Sequence, residues 1–352
     1  NENINKMLDT FIKSIVVKNS KYSKYKICDN KKIIENLNNK NTKKVTQKDK
    51  PQKTKVDNNI KKEVEANPII EYNKYIFGSY PQTLVKDNAI IEKLNKLAGK
   101  LPSKHTSRSW INYNYYAKSK IENYMWYKDI TYNNKKYRGV YFKKYRPRYC
   151  SYKSSSTFSK QNDNGYSTNT IYWFSYDPIE WDILEQSHGK ALIIANLILD
   201  SQEYYPYANN YELSSIRKWL NDNFYNTAFN DLQKNSIEAT EVDNSASSTG
   251  DSSNPYVCNN TKDKIFLLSC KEVTTYYNSD SKRQAKGTDY AKCQNLKVSY
   301  ESSTLGNSYW WLRSPYHTYS FGAYKIEWDG GIDFTNVSYT SCGIRPACYI
   351  NY

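Results

Sequence analysis

The sequence predicts an α+β domain of mixed short strands and few helices. Three observations carry that prediction. Strand-like and helix-like segments follow one another without the regular strand–crossover-helix alternation that a parallel sheet needs. Two strand pairs are joined by hairpin-type turns, Asn133-Asn134 and Asp329-Gly330. The helical segments are short and separately capped, starting at Asp87 or Asn88, at Ser214 and at Ser269.

Residues 1–39 read as a short helical N-terminal segment. Ile4, Met7, Leu8, Phe11, Ile15 and Val16 fall on one helical stripe, and Ile33, Ile34 and Leu37 suit a second short helix. The stripe on residues 1–18 suits docking onto the body of the chain, and equally self-association. Residues 40–66 are Lys-, Asn-, Thr-, Gln- and Asp-rich with few apolar positions, the composition of a disordered linker. The folded domain is expected over 67–352.

Within it, Tyr72 to Phe77 reads as a strand ending in a turn at Gly78-Ser79-Tyr80-Pro81. The helix after Asp87 or Asn88 is expected to turn Ile90, Ile91, Leu94, Leu97 and Ala98 inward and to stop at Gly99 and Pro102. Trp126 to Tyr132 and Tyr137 to Phe142 form a hairpin, and 150–170 a polar surface loop. Two strands, Ile171 to Tyr176 and Ile179 to Leu184, precede the turn Ser187-His188-Gly189. The apolar run Ala191 to Leu199 then suits a buried strand. Ser214 caps a helix with Ile216, Trp219 and Leu220 inward. Residues 239–256 read as loop and Ile265 to Leu268 as a buried strand. Ser269 with Glu272 forms a capping box. Tyr309 to Leu312, a hairpin from Phe321 through Asp329-Gly330, and Gly343 to Ile350 complete the strands.

Composition narrows the function classes. The 352 residues include 36 Tyr and carry a net charge of +16, with hydrophobics at 38 %. So low an apolar content requires an aromatic-rich core. Residues 1–66 hold 17 Lys, no Arg and 8 acids, so more than half of the net charge lies in the stem. Such charge invites nucleic acid, but no helix-turn-helix, zinc or RNA-binding signature accompanies it, and no specific nucleic-acid partner is expected. No apolar run of about 18 residues exists to span a membrane. Neither phosphate-binding glycine motif is present. The seven Cys include no C-x-x-C pair. Cys342 and Cys348 suit either pairing or burial as free thiols. The chain begins at Asn1 rather than Met, so any signal or lipid anchor would lie upstream.

The C-terminal stretch is the most informative. Trp310-Trp311-Leu312-Arg313-Ser314-Pro315 and Gly343-Ile344-Arg345-Pro346-Ala347 bracket a stretch with few apolar anchors, Ala323, Ile326, Ile332 and Val337. The residues between these anchors are mostly polar or aromatic. Tyr, Trp and His give broad contact area with a polar tip. A binding face is therefore expected from Tyr316, His317, Tyr319, Phe321, Tyr324, Trp328, Phe334, Asn336, Ser338 and Tyr339. Some of these aromatics are expected in the core instead. Trp310, Trp311, Arg313 and Arg345 are assigned to the scaffold, the arginines bonding backbone carbonyls or an acid.

These bracketing motifs follow Phe77-Gly78-Ser79-Tyr80-Pro81-Gln82-Thr83, Arg138-Gly139-Val140-Tyr141-Phe142, Pro178-Ile179-Glu180-Trp181, Ser215-Ile216-Arg217-Lys218-Trp219-Leu220-Asn221 and Asp263-Lys264-Ile265-Phe266-Leu267-Leu268-Ser269. In that order, over about residues 70–352, they resemble a C-type-lectin-like domain of the formylglycine-generating-enzyme branch. The resemblance extends to a bacterial family of unknown function and to the variable proteins of diversity-generating retroelements. It implies a C-type-lectin-like scaffold with a diversified ligand-binding C-terminus, displayed at the cell surface. In such proteins, template adenines are randomised, so AAY codons become NNY. Residues 316–322, 333–336 and 338–341 are all encodable by NNY; Lys325, Glu327 and Trp328 are not.

The expected function is thus receptor-type binding of a protein or cell-surface ligand, without cofactor or metal. A non-diversified surface or lipoprotein adhesin of the same fold is the first alternative; an enzyme like the formylglycine-generating enzymes and a nucleic-acid binder rank below it. An enzyme is not expected. Cys342 and Cys348 lie near the end where the catalytic relatives keep a reactive pair, but no second motif matches such a site. His105, His188 and His317 lack a nucleophile context. No EPN-, QPD- or WND-type calcium lectin motif occurs.

Overall fold

The computed structural model of the chain describes residues 69–71, 74–103, 109–113, 125–150 and 160–352. All of them lie in the second of two units, which begins at Asn58. The readings for residues 1–39 and 40–66, and for Cys28 and His105, lie outside the described residues.

The described chain is α+β, mostly strand. In order the strands are β1 (Ile69–Glu71), β2 (Lys74–Leu84), β3 (Ile111–Asn112), β4 (Met125–Tyr132), β5 (Lys135–Phe142), β6 (Ile171–Ser187), β7 (Lys190–Ala195) and β8 (Asp200–Ser201). They continue as β9 (Thr240–Val242), β10 (Thr261–Asp263), β11 (Trp310–Pro315), β12 (Gly322–Ile326), β13 (Ile332–Asn336), β14 (Gly343–Ile344) and β15 (Ala347–Asn351). One sheet runs β1-β2-β6-β5-β4-β3, with β7 on β6 and β15 on β7. A second runs β13-β12-β11-β14-β8, and β9 pairs with β10.

Several boundaries differ from those read in the sequence. The turn expected at Gly78 is a kink inside β2. Gly78 adopts φ +72°, and the register against β6 shifts between Ile76 and Ser79. A Cβ there would stand 2.6 Å from the Phe229 ring. Gly78→Ala is therefore expected to cost about 2 kcal/mol, from the left-handed backbone and the displaced ring. Urea unfolding measures it, and no change in the midpoint would contradict the packing.

The two strands expected on either side of Pro178 are one strand, β6. Its first part, Ile171 to Ser175, pairs with β5, and Trp181 to Ser187 pair with β7. Pro178 falls where β6 changes partner, so its missing N–H breaks neither of those ladders. The buried run 265–268 is extended, but its polar groups are used elsewhere. Phe266 exchanges two bonds with Ala347, while the Leu267 and Leu268 carbonyls go to Arg313. The final apolar strand is two, split at Arg345-Pro346. β14 joins the second sheet and β15 the first. The stretch read as loop at 239–256 contains β9 and a 3-10 turn at Ala246–Thr249. Part of the loop expected at 150–170 is a helical turn, Lys160–Asp163, whose Gln161 is buried and donates to the Cys293 carbonyl.

Other features are as expected. Asp87 caps the helix Asn88–Ala98 by accepting from Ala89 and Ile90. Leu94 and Ala98 are buried, but Leu97 is exposed, on the flank rather than the inner stripe. Asn133 and Asn134 hold left-handed φ of 49° and 59°, which closes the β4–β5 hairpin with the twist the strands need. Ser214 caps the helix that starts at Ser215, and Ser269 and Glu272 form a reciprocal capping box.

The core is as aromatic as the composition requires. Tyr75, Tyr80, Tyr204 and Tyr290 are fully or almost fully buried, as are Trp181, Trp310 and Trp311. Buried phenols need partners. Tyr80 donates to Asp200 at 2.8 Å, Tyr204 to the Arg313 carbonyl at 2.8 Å and Tyr166 to the Asp289 carbonyl at 2.9 Å. Both scaffold arginines behave as expected. Arg313 donates to the Leu267 and Asp243 carbonyls and to Glu272. Arg345 donates to the Ala195 carbonyl and to Asp182.

Among the described residues six cysteines are free, and burial pushes the Cys342 and Cys348 thiols up, away from the nucleophilic thiolate. No described helix is long and apolar enough to cross a membrane.

Candidate binding surface

The platform is β11, whose six residues are all buried. Trp310 and Trp311 anchor it by donating to the Arg283 and Gln202 carbonyls. From Pro315 the chain enters a tight loop, 316–321, and returns along β12 and β13. The loop closes on itself through Tyr316 N–H to the Gly322 carbonyl at 2.9 Å. Gly322 lets it turn closely, since a Cβ there would lie 3.0 Å from that of Tyr316. Two further segments fix it from outside. Asn209 donates its amide to the Tyr316 and Tyr319 carbonyls and its N–H to Ser320. Asn254 donates to the Pro315 carbonyl at 2.9 Å.

Five of the ten expected residues meet in one cluster with Tyr316 at its centre. Its ring stacks on Phe334 at 3.7 Å and 13°. Tyr319 and Tyr324 approach it edge-on at 5.2 and 5.5 Å, and His317 lies 4.7 Å away. Tyr319 also meets Phe334 at 5.7 Å, and His317 Nδ1 lies 2.9 Å from the Tyr324 hydroxyl. Edge-on and offset pairs each contribute about 0.5–1.5 kcal/mol beyond burial, so the rings hold one another in place. Burial, then the neighbouring Cys270, Tyr316, Asp251 and Asp333, pushes the Tyr324 hydroxyl up to about 12.

Phe321 adjoins the cluster and is 54 % exposed; Tyr319 is 39 % exposed. Asn336 pairs with Gly322 across the hairpin and is exposed, its side chain accepting from Ser338. The other three lie apart from this face. Ser338 and Tyr339 are buried, Tyr339 against Tyr149 at 5.6 Å, because β13 ends at Asn336 and the chain dives toward β14. Trp328 is half-buried and stacks on Tyr309 at 4.8 Å, with the Lys297 ammonium 4.6 Å from its ring.

Two more aromatics, the half-buried Tyr205 and the exposed Tyr207, belong to an element that the sequence reading passed over. The Tyr205 N–H bonds Val337 O, and Val337 N–H bonds Phe321 O, so Tyr205 and its ring neighbour Tyr207 adjoin Phe321. Tyr207 is 53 % exposed. The signal was the run Tyr204-Tyr205-Pro206-Tyr207 followed by Asn209-Asn210, aromatic residues inside a Pro/Asn loop.

Among the described residues no group of three or more His, Cys, Asp or Glu converges as a metal site would. A separate cavity of about 420 Å³ lies near Gln82, Asp177, Glu180, Leu197 and Leu199, away from the aromatic residues. Residues 188–352 match a family described as a domain of unknown function (DUF6273), just under half of the chain. That match spans the whole of this surface. No curated protein and no solved structure matches the chain.

Proposed function

We propose that the chain is a receptor-type binding protein rather than an enzyme, and that its ligand docks on the aromatic face of the 316–336 region. The observation that carries the reading is the exposure of Tyr319, Phe321 and Tyr207 around rings that are already locked together. Ordered aromatics lose little entropy on binding and supply the contact area typical of hot spots. The C-type-lectin-like assignment of the scaffold, its display at a cell surface and its diversification rest on the motif resemblance.

Diversification takes a narrower form in this reading. Of the NNY-compatible positions, 316–321 and 333–336 lie at or partly at the surface. Residues 338–341 are buried; Thr340 donates to the Pro147 carbonyl and receives Asn295. Lys325, outside the NNY set, is 4 % exposed and paired with Asp333. Variation among clones is thus expected at 316–321 and 333–336 and not at 338–341.

The binding test uses the full chain against a displayed library of random 12-residue peptides. Enriched peptides are expected to bind Tyr319→Ala/Phe321→Ala at least tenfold more weakly. The same double variant is expected to stay folded and to lose about 1–3 kcal/mol, from the two Tyr319 ring pairs, since Phe321 is mostly exposed and pairs with no ring among the described residues. Peptides that bind the variant and the parent equally would remove this face as the site.

A further inference from the structure

The aromatic face is assembled from three segments, residues 203–213, 243–254 and 316–341. Asn209 ties the first to the third, and Asn254 the second to the third. Together they hold seven carboxylates, no arginine and one lysine, in a chain of net charge +16. That lysine, Lys325, is 4 % exposed and ion-paired with Glu327 and Asp333, so it offers solvent little positive charge. Glu203 is buried beside Arg146. The other six reach the surface: Asp243, Asp329 and Asp333 are exposed, and Glu212, Asp251 and Glu327 are partly so. Hydrogen bonds from Ser253 hold Asp251 below the usual carboxylate range. Asp333, paired with Lys325, directly precedes the stacked Phe334 on β13, and Asn254, which donates its N–H to the Asp251 carbonyl, donates its amide to the Pro315 carbonyl, so both acids adjoin the ring cluster. The face is therefore an acidic, ring-lined patch on a basic chain.

We infer that this face takes a cationic partner, a peptide or protein segment presenting arginine or lysine, with its charge against the Tyr319 and Phe321 rings beside Asp251 and Asp333. The inference rests on the reading of this surface as the binding face and names its partner's chemistry. A cation over an aromatic face is attracted by the ring quadrupole, and arginine stacks there best. Nearby carboxylates add charge attraction and raise the encounter rate, with the salt dependence that exposed charges show. The rest of the chain, being basic, repels such a partner, which confines it to this patch.

The test is fluorescence anisotropy of the full chain with a labelled peptide of four arginines alternating with glycine, and with its citrulline counterpart, at 50 and 300 mM NaCl. The arginine peptide is expected to bind at least tenfold more tightly than the citrulline peptide, and more weakly at high salt. Asp251→Asn/Asp333→Asn is expected to weaken it at least fivefold, and Tyr319→Ala/Phe321→Ala at least tenfold. Asp251→Asn alone, whose amide oxygen still accepts from Ser253, keeps the result readable should Asp333→Asn disturb Lys325.

Glu92→Gln/Glu301→Gln removes the same charge elsewhere and is expected to change binding less than twofold; an equal loss would reduce the effect to net charge and overturn the inference. A citrulline peptide that binds equally well, yet needs Tyr319 and Phe321, would overturn the cationic partner and leave the face standing. So would library peptides that need the face beside an arginine peptide that does not bind. Arginine-peptide binding indifferent to Tyr319 and Phe321 would overturn the inference outright.

Discussion

Arg313→Met is expected to cost about 3–5 kcal/mol of folding stability. The side chain is 2 % exposed and holds three separate pieces of chain together. Its guanidinium donates to the Leu267 carbonyl at 2.8 Å, to the Asp243 carbonyl at 3.0 Å and to both Glu272 oxygens. Removing the donor leaves the buried Leu267 carbonyl unsatisfied, worth about 1–3 kcal/mol, and the part-buried Asp243 carbonyl without its protein partner. The Glu272 side chain is 28 % exposed, so water recovers part of the ion-pair loss and the carbonyls dominate. Urea unfolding measures the total, and amide exchange over 243–254 is expected to rise with it. A loss below 1 kcal/mol would mean that water replaces the guanidinium. Arg313→Lys should recover only part of the loss, since a point charge cannot reach the carbonyls and the carboxylate together.

The second large effect is a dependence on pH that Asp200 imposes. Burial, opposed by bonds from Ser201 N–H and the Tyr80 hydroxyl, pushes its carboxyl up to about 6. In the unfolded chain it titrates near 3.9. The folded protein therefore binds the extra proton between those values. The stability it contributes is fully present below about pH 4, falls as pH rises and is lost above about pH 6. A shift of roughly two units corresponds to about 3 kcal/mol. Asp200→Asn removes this slope while its amide keeps bonding partners for Ser201 and Tyr80. Other acids tilt the curve the opposite way, with Asp129 and Asp333 held below their usual range. The readout is therefore the stability of Asp200→Asn minus that of the parent, expected to grow by about 3 kcal/mol from pH 4 to 7.5. A difference that stays flat with pH would refute the assignment.

Local chemistry made much of the fold readable. Caps at Asp87, Ser214 and Ser269 and the Asn133-Asn134 turn depend on neighbours a few residues away, and the structure has them where the sequence puts them. The β6 and Gly78 boundaries were not readable in this way. A proline or a glycine stops a strand only if its backbone group is needed there, and that depends on which strand lies opposite. The same limit divided the candidate face. Tyr316, Tyr319 and Phe321 lie in a loop at or partly at the surface, but Ser338 and Tyr339 look alike in composition and are buried by the path to β14. Tyr207 was missed because its partner segment lies more than a hundred residues later in the chain.

The division of the last strand has a consequence for biosynthesis. β14 and β15 each complete a different sheet, and both lie within the final ten residues. Neither sheet has all of its strands until residues 343–351 have left the ribosome. Chains fold by units as they emerge, yet this domain can close only once these residues have emerged and Arg345 reaches Asp182 and Ala195. Chains truncated before Gly343 would expose β7 and β11 as open edges and fall to aggregation or proteolysis.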